Sequence, residues 1–229
     1  MSEGFNIIRY LAFEINKDCK NKAIHVGKCP ISHPDRYKYS TSIIPISDSH
    51  VLMFWRWCRS KGFRGIVMWH MYNEPVLVID QIRELMKIMK KEDPFQPFQM
   101  TTSIKGDYSD FDIWKVSDYE HGAELDRRIE TNEGEGKPYN EMPKTGVCGR
   151  GKGFELQIDY YGNWCLCCGD WTCEESVGSI CNTDWDVLYE RWNKKRNTIQ
   201  WHDEGSYNSL PRLCRSCLDK NTLSWKGGI

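Results

Sequence analysis

The cysteines set the strongest limit on this chain. Eleven occur in 229 residues and they are clustered: Cys19, Cys29 and Cys58 come first, none falls between Cys58 and Cys148, and eight follow from Cys148 onward. An odd count cannot pair fully within one molecule. The opening residues Met1–Asn6 lack the charged-then-apolar pattern of a secretory leader. We therefore expect the reducing cytoplasm, where disulfides are rare and clustered cysteines are read as metal or iron–sulfur ligands. No apolar run approaches the roughly 18 residues of a spanning helix, so no membrane partner is expected. The formal net charge is −1, which gives no global attraction to nucleic acid or anionic lipid. Ten tryptophans favour a strongly aromatic core or deep pockets.

Between the cysteines the pattern is that of an α/β protein. Asn6–Asn16 predicts a buried strand ending near Glu14, and a loop carrying Cys19, His25 and Cys29 follows it. Residues 47–62 predict a helix that Ser47 or Ser49 caps and Gly62 ends. Phe63–Pro75 predicts a second strand, closed by Pro75. In residues 78–93, Ile79, Ile82, Leu85, Met86 and Met89 share one face of a helix whose late lysines Lys87, Lys90 and Lys91 suit its C-terminal dipole. Residues 95–104 and 111–119 predict two more short strands. Strand, loop, helix, strand, helix, strand is the order of a parallel α/β unit. Ligands of such sheets bind at the carboxyl ends of the strands. Glu14, Asn73, Glu74, Ser103, Ser117 and Asp118 all fall at such ends, and one crevice would collect them.

A polar stretch rich in Gly and Pro, residues 131–147, predicts a linker between a core of residues 1–130 and a second unit of residues 148–229. In the second unit Phe154, Leu156 and Ile158 alternate before a turn at Gly162, the pattern of a hairpin. Residues 183–197 predict a helix capped by Thr183 or Asp184. Cys148 opens the hairpin; Cys165, Cys167 and Cys168 lie on its return strand. Cys214 and Cys217 form a Cys-x-x-Cys pair, a spacing that aims two thiolates at one centre. One cysteine before the hairpin, one on it and the terminal pair make four thiolates. Such a set holds either structural zinc or a closed [4Fe–4S] cluster, and ligand type alone does not separate them. Cys165, Cys173 and Cys181 read as cysteines without a ligand role, and a second metal on Cys173 and Cys181 is disfavoured because no Cys-x-x-Cys spacing pairs those two.

The run from Cys148 through Gly162-Asn-Trp-Cys-Leu-Cys167 to Val177-Gly-Ser-Ile, a helix and Cys214-Arg-Ser-Cys217 resembles the Twitch domain. That domain is the shortened form of the SPASM domain of radical S-adenosylmethionine (SAM) enzymes. With no cysteine after Cys217, the similarity is to the shortened form. The N-terminal half is similar to the same superfamily: a strand, a cysteine loop, then a second strand ending in Asn73-Glu74-Pro75, in the place of a Gly-Glu-Pro-like motif. The resemblance implies a reduced partial (β/α) barrel of parallel strands with a small C-terminal β-hairpin and helix iron–sulfur domain.

The resemblance also implies two [4Fe–4S] clusters. Cys19 and Cys29 match the first and last positions of the family's Cys-x3-Cys-x2-Cys loop, and its middle cysteine is absent. His25 is the nearest substitute and Cys58, on the next helix, the alternative. An imidazole ligand would raise the cluster potential and oppose reduction of SAM, whereas Cys58 would keep it low. The auxiliary cluster falls to Cys148, Cys167, Cys214 and Cys217, with Cys168 as the alternative on the hairpin. Asn73, Glu74 and Pro75, with Ser103, Ser117 and Asp118 on later strands, would bind SAM. The implied activity is reductive cleavage of SAM to a 5′-deoxyadenosyl radical. Hydrogen abstraction from a substrate carbon and, by preference, net two-electron oxidation would follow. A peptide, a nucleotide or another small molecule fits an open, shortened core, and a flavodoxin or ferredoxin would supply the electron. No side chain stands out as a catalytic acid, although Tyr119 and His121 fall near the crevice. The reading from another class is a non-catalytic zinc or iron–sulfur module with a degenerate SAM site.

Overall fold

Helices gather on one face of a mostly parallel sheet, and this division decides where every other group can go. The computed structural model describes residues 5, 8–19, 33–70, 72–118, 127–131, 155–167, 169–200 and 213–214. Seven strands are described: β1 (Tyr10–Phe13), β2 (Ile66–Met68), β3 (Phe98–Thr102), β4 (Ile113–Asp118), β5 (Arg127–Thr131), β6 (Glu155–Ile158) and β7 (Trp164–Cys165). They form one sheet in the order β5-β4-β3-β2-β1-β6-β7. The inner five run parallel, and an antiparallel strand closes each edge. The fold is thus mixed α/β, as the strand–helix alternation predicts.

Three helices cover the sheet: α1 (Asp48–Ser60), α2 (Ile79–Glu92) and α3 (Trp185–Gln200). Ser47 caps α1 by accepting the His50 N–H, and Gly62 takes the positive φ of 102° that ends it. Asp184 caps α3 through the N–H groups of Asp186 and Val187. Ile82, Leu85, Met86 and Met89 are the buried stripe of α2. One apolar cluster joins them to Phe54, Cys58, Leu188 and Trp192, and to Leu11, Phe13, Val67, Phe98, Met100, Val116, Leu156, Ile158 and Trp164 from the strands. Rings interlock at its centre. Phe54 stands edge-on to Phe13 and Trp164, and Trp164 tilts against Trp192. Buried Gln96 joins layers through polar bonds, accepting from Trp55 Nε1 at 2.9 Å and donating to the Gly65 carbonyl at 2.8 Å.

Register sends the alternate residues to the other face. Ala12 lies between Met68 and Gln157, Met68 is beside Gln99, and Gln157 is beside Cys165. Gln99 and Gln157 are both buried there. Two features depart from the sequence reading. The 155–165 hairpin, predicted for the second unit, adds β6 alongside β1 in the same sheet. β5 was not predicted: Arg127–Thr131 is charged and lacks apolar alternation, yet it pairs with β4 at the sheet edge, where no burial is demanded. Cys148, Cys168, Cys217 and residues 132–147 lie outside the described residues.

Two predictions follow from this packing. A Cβ at Gly65 would stand 2.2 Å from the Arg9 carbonyl oxygen, the atom that accepts the Ile66 N–H at 2.8 Å. Gly65→Ala should therefore cost about 1–3 kcal/mol or more by forcing β1 and β2 apart. Gly62→Ala, which meets no atom within 4 Å, should cost only its backbone strain of about 1–2 kcal/mol; urea unfolding of the two variants checks the order. The second concerns Asp170, fully buried and bonded by the N–H groups of Leu166 and Glu175. Burial raises its carboxyl from 3.8 to about 6. The folded state then holds this proton more tightly than the unfolded chain. Its stabilising share is full below the unfolded value and is lost as pH rises through the folded one. Unfolding free energy should fall by on the order of 3 kcal/mol from this group between about pH 4 and pH 6. Asp170→Asn should flatten that slope in a urea series across pH.

Candidate functional site

All the parallel strands present their carboxyl ends to one edge, so residues distant in sequence meet there. Glu74 is the centre of this edge. It follows β2 and begins the turn Pro75–Val78 as its cap, with Pro75 itself buried. Its carboxylate is almost wholly buried. Ser103 donates to Oε2 from its N–H at 2.9 Å and from its hydroxyl at 2.6 Å. The Thr102 hydroxyl and, weakly, the Val76 N–H at 3.4 Å reach Oε1. All four donors are uncharged, so among the described residues no cation bonds the Glu74 carboxylate.

The backbone of Glu74 is tied to the segment after β1. Its N–H donates to the Asp18 carbonyl at 2.9 Å. Its carbonyl accepts from Asn16 Nδ2 at 3.0 Å. Asn16 also accepts from the Asp18 N–H at 3.0 Å, which fixes the turn. Cys19 is the next residue and is half-buried. The structure therefore brings together the first cysteine of the N-terminal loop, Glu74 and Ser103, as the strand order predicts. Thr102 and Asn16 belong to the same constellation and escaped the sequence reading. Asn16 was detectable: a polar residue two positions beyond buried Glu14 points to the same edge.

Glu14 makes a second buried lock. Its carboxylate pairs with Arg36 and accepts from Tyr37 Oη at 2.7 Å and from the Tyr72 N–H at 3.3 Å. Its own N–H donates to the Ile158 carbonyl at 2.9 Å. Burial, and then the Glu14 charge, push the Tyr37 phenol upward, so it stays protonated and donates. Asp159, just past β6, is buried as well. It accepts from Asn163 Nδ2 and from the N–H groups of Tyr161 and Asn163. Burial raises its carboxyl to about 6.

The remaining expected residues divide clearly. Ser117 and Asp118 lie at the carboxyl end of β4, after a register shift between Val116 and Ser117. Asn73 precedes Glu74 at the end of the β2 segment. Cys58 is fully buried in the helix–sheet core, and burial pushes its thiol well above the usual range. It occupies the last turn of α1, whose carbonyl end turns back into β2 through the Phe63 N–H to Cys58 carbonyl bond. That places it by the start of the strands, whereas Cys19 follows the end of one. Cys167 is half-buried and its sulfur accepts from the Gly169 N–H at 3.4 Å. Cys214 is half-buried and packs against the core. His25, Cys29, Cys148, Cys168, Cys217, Tyr119 and His121 lie outside the described residues. Among the described residues, no helix is long and apolar enough to cross a membrane.

No protein-family model matches this chain, and no curated protein does. Solved structures are similar to it. The crystal structure of BtrN in complex with AdoMet and 2-DOIA is 14% identical, with a TM-score of 0.62 over 91% of this chain and 92% of that one. The crystal structure of selenomethionine BtrN in an open conformation is 17% identical, with a TM-score of 0.61 over 92% of each chain. At such identity the likeness is one of fold.

Proposed function

We propose that this chain is a radical SAM enzyme with a Twitch-like C-terminal unit, in which Glu74 receives the methionyl ammonium of SAM. The observation that carries the reading is the Glu74 carboxylate. It is buried, ringed by uncharged donors, and bonded through its backbone to the segment that bears Cys19. A buried anion that no cation bonds among the described residues suits a ligand cation. The fold likeness to a protein crystallised with AdoMet supports the same ligand.

Thiolate donors suit iron–sulfur clusters. Cys19 and Cys29 would hold the first, with His25 as its third protein ligand, since Cys58 lies at the far end of α1. Cys148, Cys167 or its neighbour Cys168, Cys214 and Cys217 would hold the second. When bound, the first cluster and SAM supply a reducing electron and a hydrogen-abstracting 5′-deoxyadenosyl group. The chain's own residues position and exclude. Ser103 and Thr102 fix the Glu74 carboxylate, Asn16 holds its peptide against the Asp18 turn, and the Glu14–Arg36–Tyr37 lock closes the neighbouring strand end. Ser117, Asp118, Asn73 and Pro75 complete the SAM contacts in this reading. The substrate is a peptide, a nucleotide or another small molecule, oxidised by two electrons, with a flavodoxin or ferredoxin as donor in the cytoplasm.

Anaerobic reconstitution tests the reading. About eight iron and eight sulfide per chain are expected for two four-iron clusters. Zinc bound in the absence of sulfide would overturn it in favour of a non-catalytic module. With a strong reductant the chain should form 5′-deoxyadenosine from SAM, and Cys29→Ala should remove that product. Undiminished product would sink the N-terminal assignment. Glu74→Gln keeps the shape and removes the charge. Its amide can face the Thr102 hydroxyl while Oε1 keeps the Ser103 N–H. Loss of a charge-assisted bond of about 1.5–3 kcal/mol should weaken SAM binding roughly tenfold to a hundredfold in calorimetry, with iron content unchanged.

A further inference from the structure

The β6–β7 hairpin carries a donor set that the proposed function leaves unused. Asp159, Cys165 and Cys173 are all buried, at 2%, 1% and 3% exposure. One oxygen and two sulfurs from them all lie within 4.8 Å of one another. We propose that these three residues bind one divalent, thiophilic cation of the zinc type, distinct from the iron–sulfur ligands.

The geometry and the charge both favour it. Around tetrahedral zinc the ligand bond lengths require sulfurs about 3.8 Å apart, and a sulfur and an oxygen about 3.5 Å apart. The triad lies within a small adjustment of that spacing. Asp159 Oδ2 accepts from the Cys173 thiol at 2.9 Å, so a proton now bridges the two groups where a cation would sit. Asp159 Oδ1 takes the N–H groups of Tyr161 and Asn163 at 2.9 and 2.8 Å, while Asn163 Nδ2 reaches both oxygens at 3.0 and 2.8 Å. These bonds orient the carboxylate in the way outer-shell partners orient metal ligands.

Glu14, Asp159 and Asp170 are buried carboxylates of this region. Arg36 is committed to Glu14, and Lys195 to Glu175. Asp159 is bonded only by amides and a thiol among the described residues. A cation would replace two thiol protons, leaving two thiolates and one carboxylate on the ion, with water in the fourth tetrahedral position. Its effect would be to fasten β7 and the 166–173 turn, which carries Cys167, to the end of β6.

The inference does not depend on the proposed function, and zinc analysis of the full chain tests it. The anaerobically isolated protein, with its iron loaded, is titrated with zinc sulfate after chelation and freed of excess ion. One zinc per chain is expected in addition to iron. Cys165→Ser and Cys173→Ser should lose it, and Cys181→Ser should keep it. Absence of zinc in the parent chain, or its retention by both variants, overturns the proposal. X-ray absorption at the zinc edge of the parent chain needs no variant to fold. Two sulfurs at about 2.3 Å with lighter atoms at about 2.0 Å support the triad. Four sulfurs would assign the ion to the presumed cluster cysteines and overturn it. Iron and sulfide measured on the same sample report separately on the clusters.

Discussion

A full negative charge buried at the end of β2 governs the arrangement around it. Glu74 is almost wholly withdrawn from solvent, and among the described residues every donor that reaches its carboxylate is neutral. Hydrogen bonds to a charged acceptor are the stronger kind, so Glu74 holds Thr102 at the end of β3 and Ser103 just past it, while its peptide holds Asn16 and Asp18 after β1. Three strand ends are thereby joined at one residue. Four neutral donors compensate a buried charge only in part. Among the described residues no cation completes that compensation.

That concentration of polar groups is a consequence of one-sided packing. All three helices bury the face that bears Leu11, Val67, Met100, Leu156 and Trp164. The opposite face then receives residues of the other parity: Gln157, Gln99, Met68 and Cys165. A sheet covered by helices on both faces would read as continuous apolar strands. Here the second face keeps amides and a thiol, and the carboxylates of Glu14 and Asp159 extend it past the strand ends. The same parity that places Cys165 beside Gln157 puts it within reach of Cys173, whose positive φ of 62° turns the chain back toward Asp159.

Much of this was legible in the residues, and what was not has physical causes. Apolar periodicity gave α2 and its buried stripe. Capping chemistry gave the start of α1 at Ser47, and the alternation of Phe154, Leu156 and Ile158 gave the hairpin. The convergence of the Cys19 segment, Glu74 and Ser103 followed from parallel strand order alone. Partner choice was another matter. Alternation reports that β6 has a buried face but carries no information on which strand it joins, and β1 lies about 140 residues away in the chain. β5 had no apolar signal because an edge strand pairs through its backbone. The Asp159–Cys165–Cys173 cluster was hidden for a related reason. Local spacing reveals ligand pairs that share a turn, whereas these side chains meet through strand register and a left-handed backbone at Cys173.

The position of β6 has a further consequence for how the site is held. β1 carries Glu14, Asn16 and Cys19 just beyond its end, and it is flanked by β2 on one side and β6 on the other. Without β6 it would be an edge strand, the Glu14 N–H would lose the Ile158 carbonyl, and Phe54 would lose Trp164. The turn that supplies Arg36 and Tyr37 to Glu14 leans on the same region: Tyr37 and Tyr39 donate to the Trp171 and Thr172 carbonyls, and Thr41 bonds Asn163. The N-terminal site is therefore braced by the C-terminal hairpin from both its strand and its covering turn. Whatever fixes the hairpin also fixes the strand end from which the Cys19 segment departs.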